Sequence, residues 1–133
     1  MILELGLSGR AEIVADDSNT AIAANSGSLR VFGTPFMVAL MEKAACDSLQ
    51  EALEPGKTSV GTRLDIRHSA ATPVGMRVYA ESIVTAIDGR TVTFRVTAFD
   101  EIGEIGSGTH ERVIIDAARF MARCTAKLIE KNG

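Results

Sequence analysis

Cysteine and histidine are scarce in this chain: Cys46, Cys124, His68 and His110 are the only four among 133 residues. No CxxC pair and no zinc-type spacing can be drawn from them, so a structural metal is not expected. The two cysteines lie far apart, which suggests a reduced, cytoplasmic protein with two small buried thiols. Long apolar runs are also missing. None approaches the roughly 18 to 20 residues of a membrane span, and the opening MILELGLSGRAE carries Glu4 and no basic stretch, which speaks against a signal peptide. Positive charge is not in excess: the net charge is −3, giving no reason to expect nucleic acid or an anionic membrane as partner. Local basic groups can still meet a phosphorylated ligand. With no internal repeat and no linker, residues 1–133 read as one domain, long enough to bury a core. The composition, 46% apolar and 23% charged, is that of an ordered globular protein.

What is present is a clear change of period. From Thr34 to Leu53, apolar residues recur at three and four spacing: Phe36, Met37, Leu40, Met41, Ala44, Ala45, Leu49, Ala52 and Leu53. Thr34 then Pro35 is a helix start, a hydroxyl cap followed by proline, and Glu54-Pro55-Gly56 marks the end. The first half of this helix is nearly apolar, which predicts burial around most of its circumference. The period then becomes two. Strands are predicted over Thr58 to His68, Met76 to about Thr85, Thr91 to Ala98 and Ile105 to Ile115, with a hairpin turn at Asp88-Gly89. Asp116 caps a final helix with a stripe of Ala117, Phe120, Met121, Cys124 and Leu128. Ahead of the long helix, a first strand is expected at Ala11 to Val14. The small-residue stretch Ala15 to Gly33 reads as a loop or lid with a short strand at Thr20 to Ala24. A meander of antiparallel strands with one apolar face must cover something, and the long helix is the only large apolar partner. The expected class is α+β, an antiparallel sheet wrapped around a long central helix (the hotdog arrangement), with a short C-terminal helix. Its long edges favour pairing of two protomers.

The stretch LDIRHSAATPVG places the first histidine where chemistry can begin. Leu64, Ile66 and His68 share a strand face, so an apolar row ends in a titratable ring beside a turn. Core histidine and site histidine are both open on spacing alone. Glu42 sits in the otherwise apolar PFMVALMEKAA, either on one wet edge with Lys43 or buried, where its pKa would rise. Thr34 precedes it by eight residues, about 12 Å along the helix and about 80° around it. The two do not touch, but a water or substrate atom between them can meet both. Gly103, Gly106 and Gly108 lack the Lys-Ser/Thr ending of a phosphate loop and read better as a twisted or bulged strand. His110 and Arg112 share a strand face: either a half-exposed ladder of charge pairs or, for Arg112, an anion or carbonyl contact.

Three blocks in order, GTPFMVALMEKAAC, RHSAATPVGMRV and DEIGEIGSGTHERVII, resemble hotdog-fold acyl-CoA thioesterases of the fluoroacetyl-CoA thioesterase family, from about Gly33 to the last helix. The resemblance implies a catalytic group of Thr34, Glu42 and His68. It also implies a backbone oxyanion donor at Gly61 from the partner chain, and Arg112 as a substrate contact. It implies a homodimer or higher oligomer acting on an acyl-CoA, with no cofactor. The chemistry suits a thioester, which needs a donor for the developing oxyanion, a base for the attacking oxygen and an acid for the leaving thiolate.

The lid departs from the family. Where the fluoroacetyl-selective enzyme carries phenylalanines, this chain has Asn25 and Ser28, and Phe32 is the segment's only ring. A different or broader short acyl group is therefore expected. Two other readings compete: a hotdog hydratase or dehydratase, though no DxNPxH occurs, and a non-catalytic acyl-CoA-binding module.

Overall fold

The computed structural model describes residues 2–133. Five strands, β1 (Ser8–Val14), β2 (Lys57–His68), β3 (Arg77–Asp88), β4 (Thr91–Asp100) and β5 (Glu104–Asp116), form one antiparallel sheet in the order β1-β3-β4-β5-β2. Helix α1 (Thr34–Gln50) lies along the inner face, and α2 (Ala117–Asn132) follows β5. The core is where the two periods meet. Met37, Leu40, Met41, Ala44, Ala45 and Leu49 of α1 pack on Val78, Ala80, Val84, Val92, Phe94, Val96 and Ala98. Truncating a fully buried residue such as Met41 to alanine costs about 2–5 kcal/mol.

The α1 start differs from the expected cap. Gly33 is the N-cap, its carbonyl accepting from the N–H groups of Phe36 and Met37, and Thr34 is already helical. The position needs glycine because a Cβ there would press on the Thr20 carbonyl oxygen at 2.9 Å. Thr34 is thus released from capping. The helix also ends at Gln50, before the expected Leu53, and residues 51–53 form a turn. Burial is narrower than expected: Pro35 and Ala39 are exposed on the side of α1 that this sheet does not cover.

Thr20 forms only an isolated bridge with Phe32, so the expected short strand is absent. Its hydroxyl accepts from Ala23 N–H and its carbonyl from Ala24 N–H, which curls the chain into a turn instead. The lid is fastened at its base by an exposed bidentate pair between Arg30 and Asp17. β1 starts earlier than expected, at Ser8, because its pairing with β3 continues to Ile83. The expectation of two buried thiols fails: Cys46 is half-buried and Cys124 is exposed, since no residue of α2 is buried.

Two irregularities position the site. In β2 the pairing with β5 slips between Gly61 and Arg63, leaving Thr62 as an extra residue. Since side chains alternate, one extra residue moves the inward face from the odd positions Ser59 and Gly61 to the even positions Leu64, Ile66 and His68. In β5, Gly106 lets the strand pass close to α1 and β2; a Cβ there would meet the Arg67 carbonyl oxygen at 2.6 Å and Met37 Sδ at 2.7 Å.

Candidate active site

Thr34 and His68 are brought together by the start of α1 and the end of β2. Thr34 Oγ1 lies 2.7 Å from His68 Nδ1. The other ring nitrogen, Nε2, is buried without a hydrogen-bond partner among the described residues. Burial pushes the His68 pKa below its ordinary value, the Ala70 backbone beside the ring acting the other way more weakly. The ring is therefore neutral near pH 7 and able to accept a proton. Both residues line a cavity of about 260 Å³ whose other walls include Ala21, Ser26, Val31 and Ala70. Phe32 also borders it, but its side chain is 1% exposed and belongs to the core. Asn25 and Ser28 are exposed on the lid, so no aromatic side chain closes over this space.

The turn behind His68 is held from both sides. Ser69 and Ala70 donate their N–H groups to the Ile105 carbonyl, and Phe32 donates to that of Thr72. Thr72 in turn donates its hydroxyl to Asp100 at 2.8 Å. Burial works to raise the Asp100 pKa, but hydrogen bonds from Ile102, Thr72 and Gly103 outweigh it and keep the carboxyl below its usual range.

A second cluster forms around Glu42. Its Oε2 lies 3.6 Å from Arg112 Nη1. Arg112 is buried, and its guanidinium also donates to Ser59 Oγ (2.8 Å), the Ser59 carbonyl (3.1 Å) and His110 Nε2 (3.2 Å). His110 and Arg112 therefore do not stand on a half-exposed ladder; both point into the core. The Arg112 guanidinium is turned toward Glu42 and Ser59 and holds the acid's orientation. Gly61 faces the same cluster: a Cβ there would lie 2.8 Å from Glu42 Oε2 and 3.2 Å from His110 Cε1. Only glycine lets the β2 backbone come this near the carboxylate.

One chain thus assembles two pairs, Thr34 with His68 and Glu42 with Arg112 beside Gly61. Ser59 and His110 were not legible as members of the second group. Which face of each strand is the inner one is set by pairing in the sheet, with His110 beside Phe94 and Arg112 beside Val92, and strand alternation alone does not reveal it. A larger cavity, about 560 Å³ over Ser8, Arg10, Glu81 and Arg95, holds no nucleophile and base in contact.

Comparison with known proteins decides the family. Residues 15–118 match the model of the FlK family, fluoroacetyl-CoA-specific thioesterase. The chain belongs to this family. The fluoroacetyl-CoA thioesterase of Streptantibioticus cattleyicolor is 44% identical over 97 residues, covering 73% of this chain and 70% of that protein. The solved structure of the fluoroacetyl-CoA thioesterase FlK superposes with a TM-score of 0.89 at 35% identity, covering 94% of this chain and 97% of that one. A variant of that enzyme in complex with fluoroacetate and CoA gives 0.81 at 36% identity, covering 89% and 99%. A thioesterase superfamily member from Thermus thermophilus gives 0.87 at 30% identity, covering 96% and 94%. This FlK-family chain is a hotdog-fold thioesterase.

Proposed function

We propose that the protein hydrolyses short acyl-CoA thioesters to the free acid and coenzyme A, using Thr34, Glu42 and His68 from one chain with the Gly61 N–H of a second. The observation that carries this reading is the 2.7 Å contact between Thr34 Oγ1 and His68 Nδ1 at the wall of a small cavity. Hydroxyl and neutral imidazole in contact form a nucleophile–base pair. In the proposed step the attacking oxygen, from water or from Thr34, bonds to the thioester carbonyl carbon as His68 takes its proton. The C–S bond then breaks, and that proton passes to the thiolate of coenzyme A. If Thr34 attacks first, water repeats the sequence on the acyl-threonine. Glu42, held by Arg112, orients the attacking water or stabilises the protonated ring.

The second copy is supported by what the single chain leaves open. β2 is a sheet edge of 12 residues, and Leu64 on it is 43% exposed. Beside it, Pro35 and Ala39 of α1 are exposed as well. Antiparallel pairing of two β2 edges would cover both features. It would also set Gly61 of one copy toward the half of β2 that ends at His68 in the other. One domain per copy, working in the cytoplasm, completes the reading. The cavity volume and a lid without an aromatic side chain favour a short acyl group over strict fluoroacetyl selectivity.

The test is a panel of acyl-CoAs incubated with the protein and a thiol reagent. Thiol release greatest for two- to four-carbon acyl groups is the expected outcome. A change in acyl absorbance without free thiol means a hydratase, and binding alone means a non-catalytic module.

A further inference from the structure

We infer that His110 is a positioning residue for both halves of this site: through Arg112 it aims the Glu42 carboxylate, and through the Arg63 carbonyl it locks the β2 bulge that turns His68 inward. The inference rests on the thioesterase reading only for its effect on rate.

His110 is fully buried. Its Nδ1 lies 2.8 Å from the Arg63 carbonyl oxygen, which can only accept, so Nδ1 carries the proton. Its Nε2 lies 3.2 Å from Arg112 Nη1, which can only donate, so Nε2 presents a lone pair. One neutral tautomer alone satisfies both neighbours. The groups that face the ring are Arg112 on β5, Glu42 on α1 and the Arg63 backbone on β2, with Phe94 of β4 stacked at 6.2 Å between centroids and Glu111 acting from the opposite face of β5. Burial is the largest influence on the ring and favours its neutral form; the Arg63 carbonyl and the two glutamates oppose it, and Arg112 supports it.

The position of His110 in the chain explains its reach. Arg112 Nη1 is shared between His110 Nε2 and Glu42 Oε2, so the ring fixes one corner of the guanidinium that holds the acid. Arg63 directly follows Thr62, the extra residue of the bulge. The hydrogen bond to its carbonyl secures the turnover of side-chain parity on which the inward aim of His68 depends. A protonated ring would point an N–H at Arg112 and loosen the Glu42 end, while Nδ1–H would still donate to the Arg63 carbonyl.

The experiment uses the full chain and the variants His110→Phe, His110→Asn and His110→Gln. Heteronuclear NMR of the wild-type imidazoles reads the tautomer without reference to activity: His110 protonated on Nδ1 at pH 7 is expected, and Nε2–H overturns the inference even if hydrolysis is observed. With acetyl-CoA, His110→Phe is expected to lower kcat by about 10- to 100-fold, the scale of a misplaced catalytic group, with little change in KM. Gln, which restores an acceptor toward Arg112, and Asn, which restores a donor toward Arg63, each recover part of that loss. The acid limb of the wild-type rate profile falls with two protons and that of His110→Phe with one. If the Phe variant does not fold, the Asn and Gln variants carry the same comparison. Wild-type kcat and an unchanged acid limb in folded variants overturn the inference, whereas no thiol release from the wild type refutes the functional reading instead.

Discussion

Thr34 and His68, from opposite ends of a long helix–strand excursion, meet at 2.7 Å between Oγ1 and Nδ1. The contact exists because Gly33, not Thr34, caps α1, leaving the threonine hydroxyl free to face the ring. Thr34→Ser keeps the hydroxyl and is expected to retain hydrolysis within about 10-fold. Thr34→Ala is expected to lose about 10²- to 10⁴-fold in kcat, the usual range for a displaced acid–base or nucleophilic partner. Mass spectrometry of a quenched single turnover distinguishes the nucleophiles: an acyl adduct on Thr34 means covalent attack, and its absence means water.

Gly61→Ala tests the proximity of the β2 backbone to the acid. The added methyl would lie 2.8 Å from Glu42 Oε2, so either the carboxylate or the strand must move. A fall in kcat of about 10²-fold is expected, the scale of a backbone donor and an acid displaced from their places. Circular dichroism should show an unchanged fold. Full activity in the alanine variant would show that the close approach of β2 to Glu42 is not required for turnover.

Glu42→Gln separates charge from shape. The acid is 37% exposed while its partner Arg112 is 7% exposed, so removing the negative charge leaves a buried cation with its Ser59 and His110 contacts alone. Thermal denaturation should show a loss of about 1–3 kcal/mol, discounted for the solvent that reaches Glu42. Arg112→Met with Glu42→Gln should lose less than the sum of the two single changes, because neither charge is then stranded.

Much of this was legible in the residues. The switch from 3.6 to 2 in apolar period located α1 and the strands that follow it, and Asp116 caps α2 by accepting from Arg119 N–H as its position suggests. The site was legible only as candidates, because Thr34 and His68 are joined by tertiary packing rather than by spacing. The helix cap was misplaced by one residue, since a threonine before proline looks like a cap whether or not glycine precedes it. Of the second cluster, Glu42, Gly61 and Arg112 were legible as candidates, but their grouping with Ser59 and His110 was not. A single extra residue at Thr62 reverses which side chains of β2 point inward, and no local pattern reports a bulge. On β5, alternation leaves open which face is inner, so His110 and Arg112 read as a half-exposed ladder or, for Arg112, an anion contact; pairing with Phe94 and Val92 of β4 puts both in the core.

Acid should weaken the fold before it titrates most carboxylates. The pKa values of His68 and His110 both lie below their ordinary value, mainly through burial. The unfolded chain therefore binds these protons first, and stability is full above about pH 6.5, the unfolded histidine value. It is lost as pH falls from there through the folded pKa values. A melting temperature that is flat from pH 7 to 8.5 and drops between about pH 6.5 and 5 is expected. A melting temperature that rises over the lower interval would contradict the buried neutral state of both rings.

The central claim is that His68 moves the proton that frees coenzyme A from its acyl group. The most direct measurement is thiol release from acetyl-CoA by the wild type and by His68→Ala, side by side at pH 7.5 with both proteins shown to be folded. The account predicts steady turnover by the wild type and a loss of at least about 10²-fold in the variant. Equal rates of thiol release from the two proteins would contradict it.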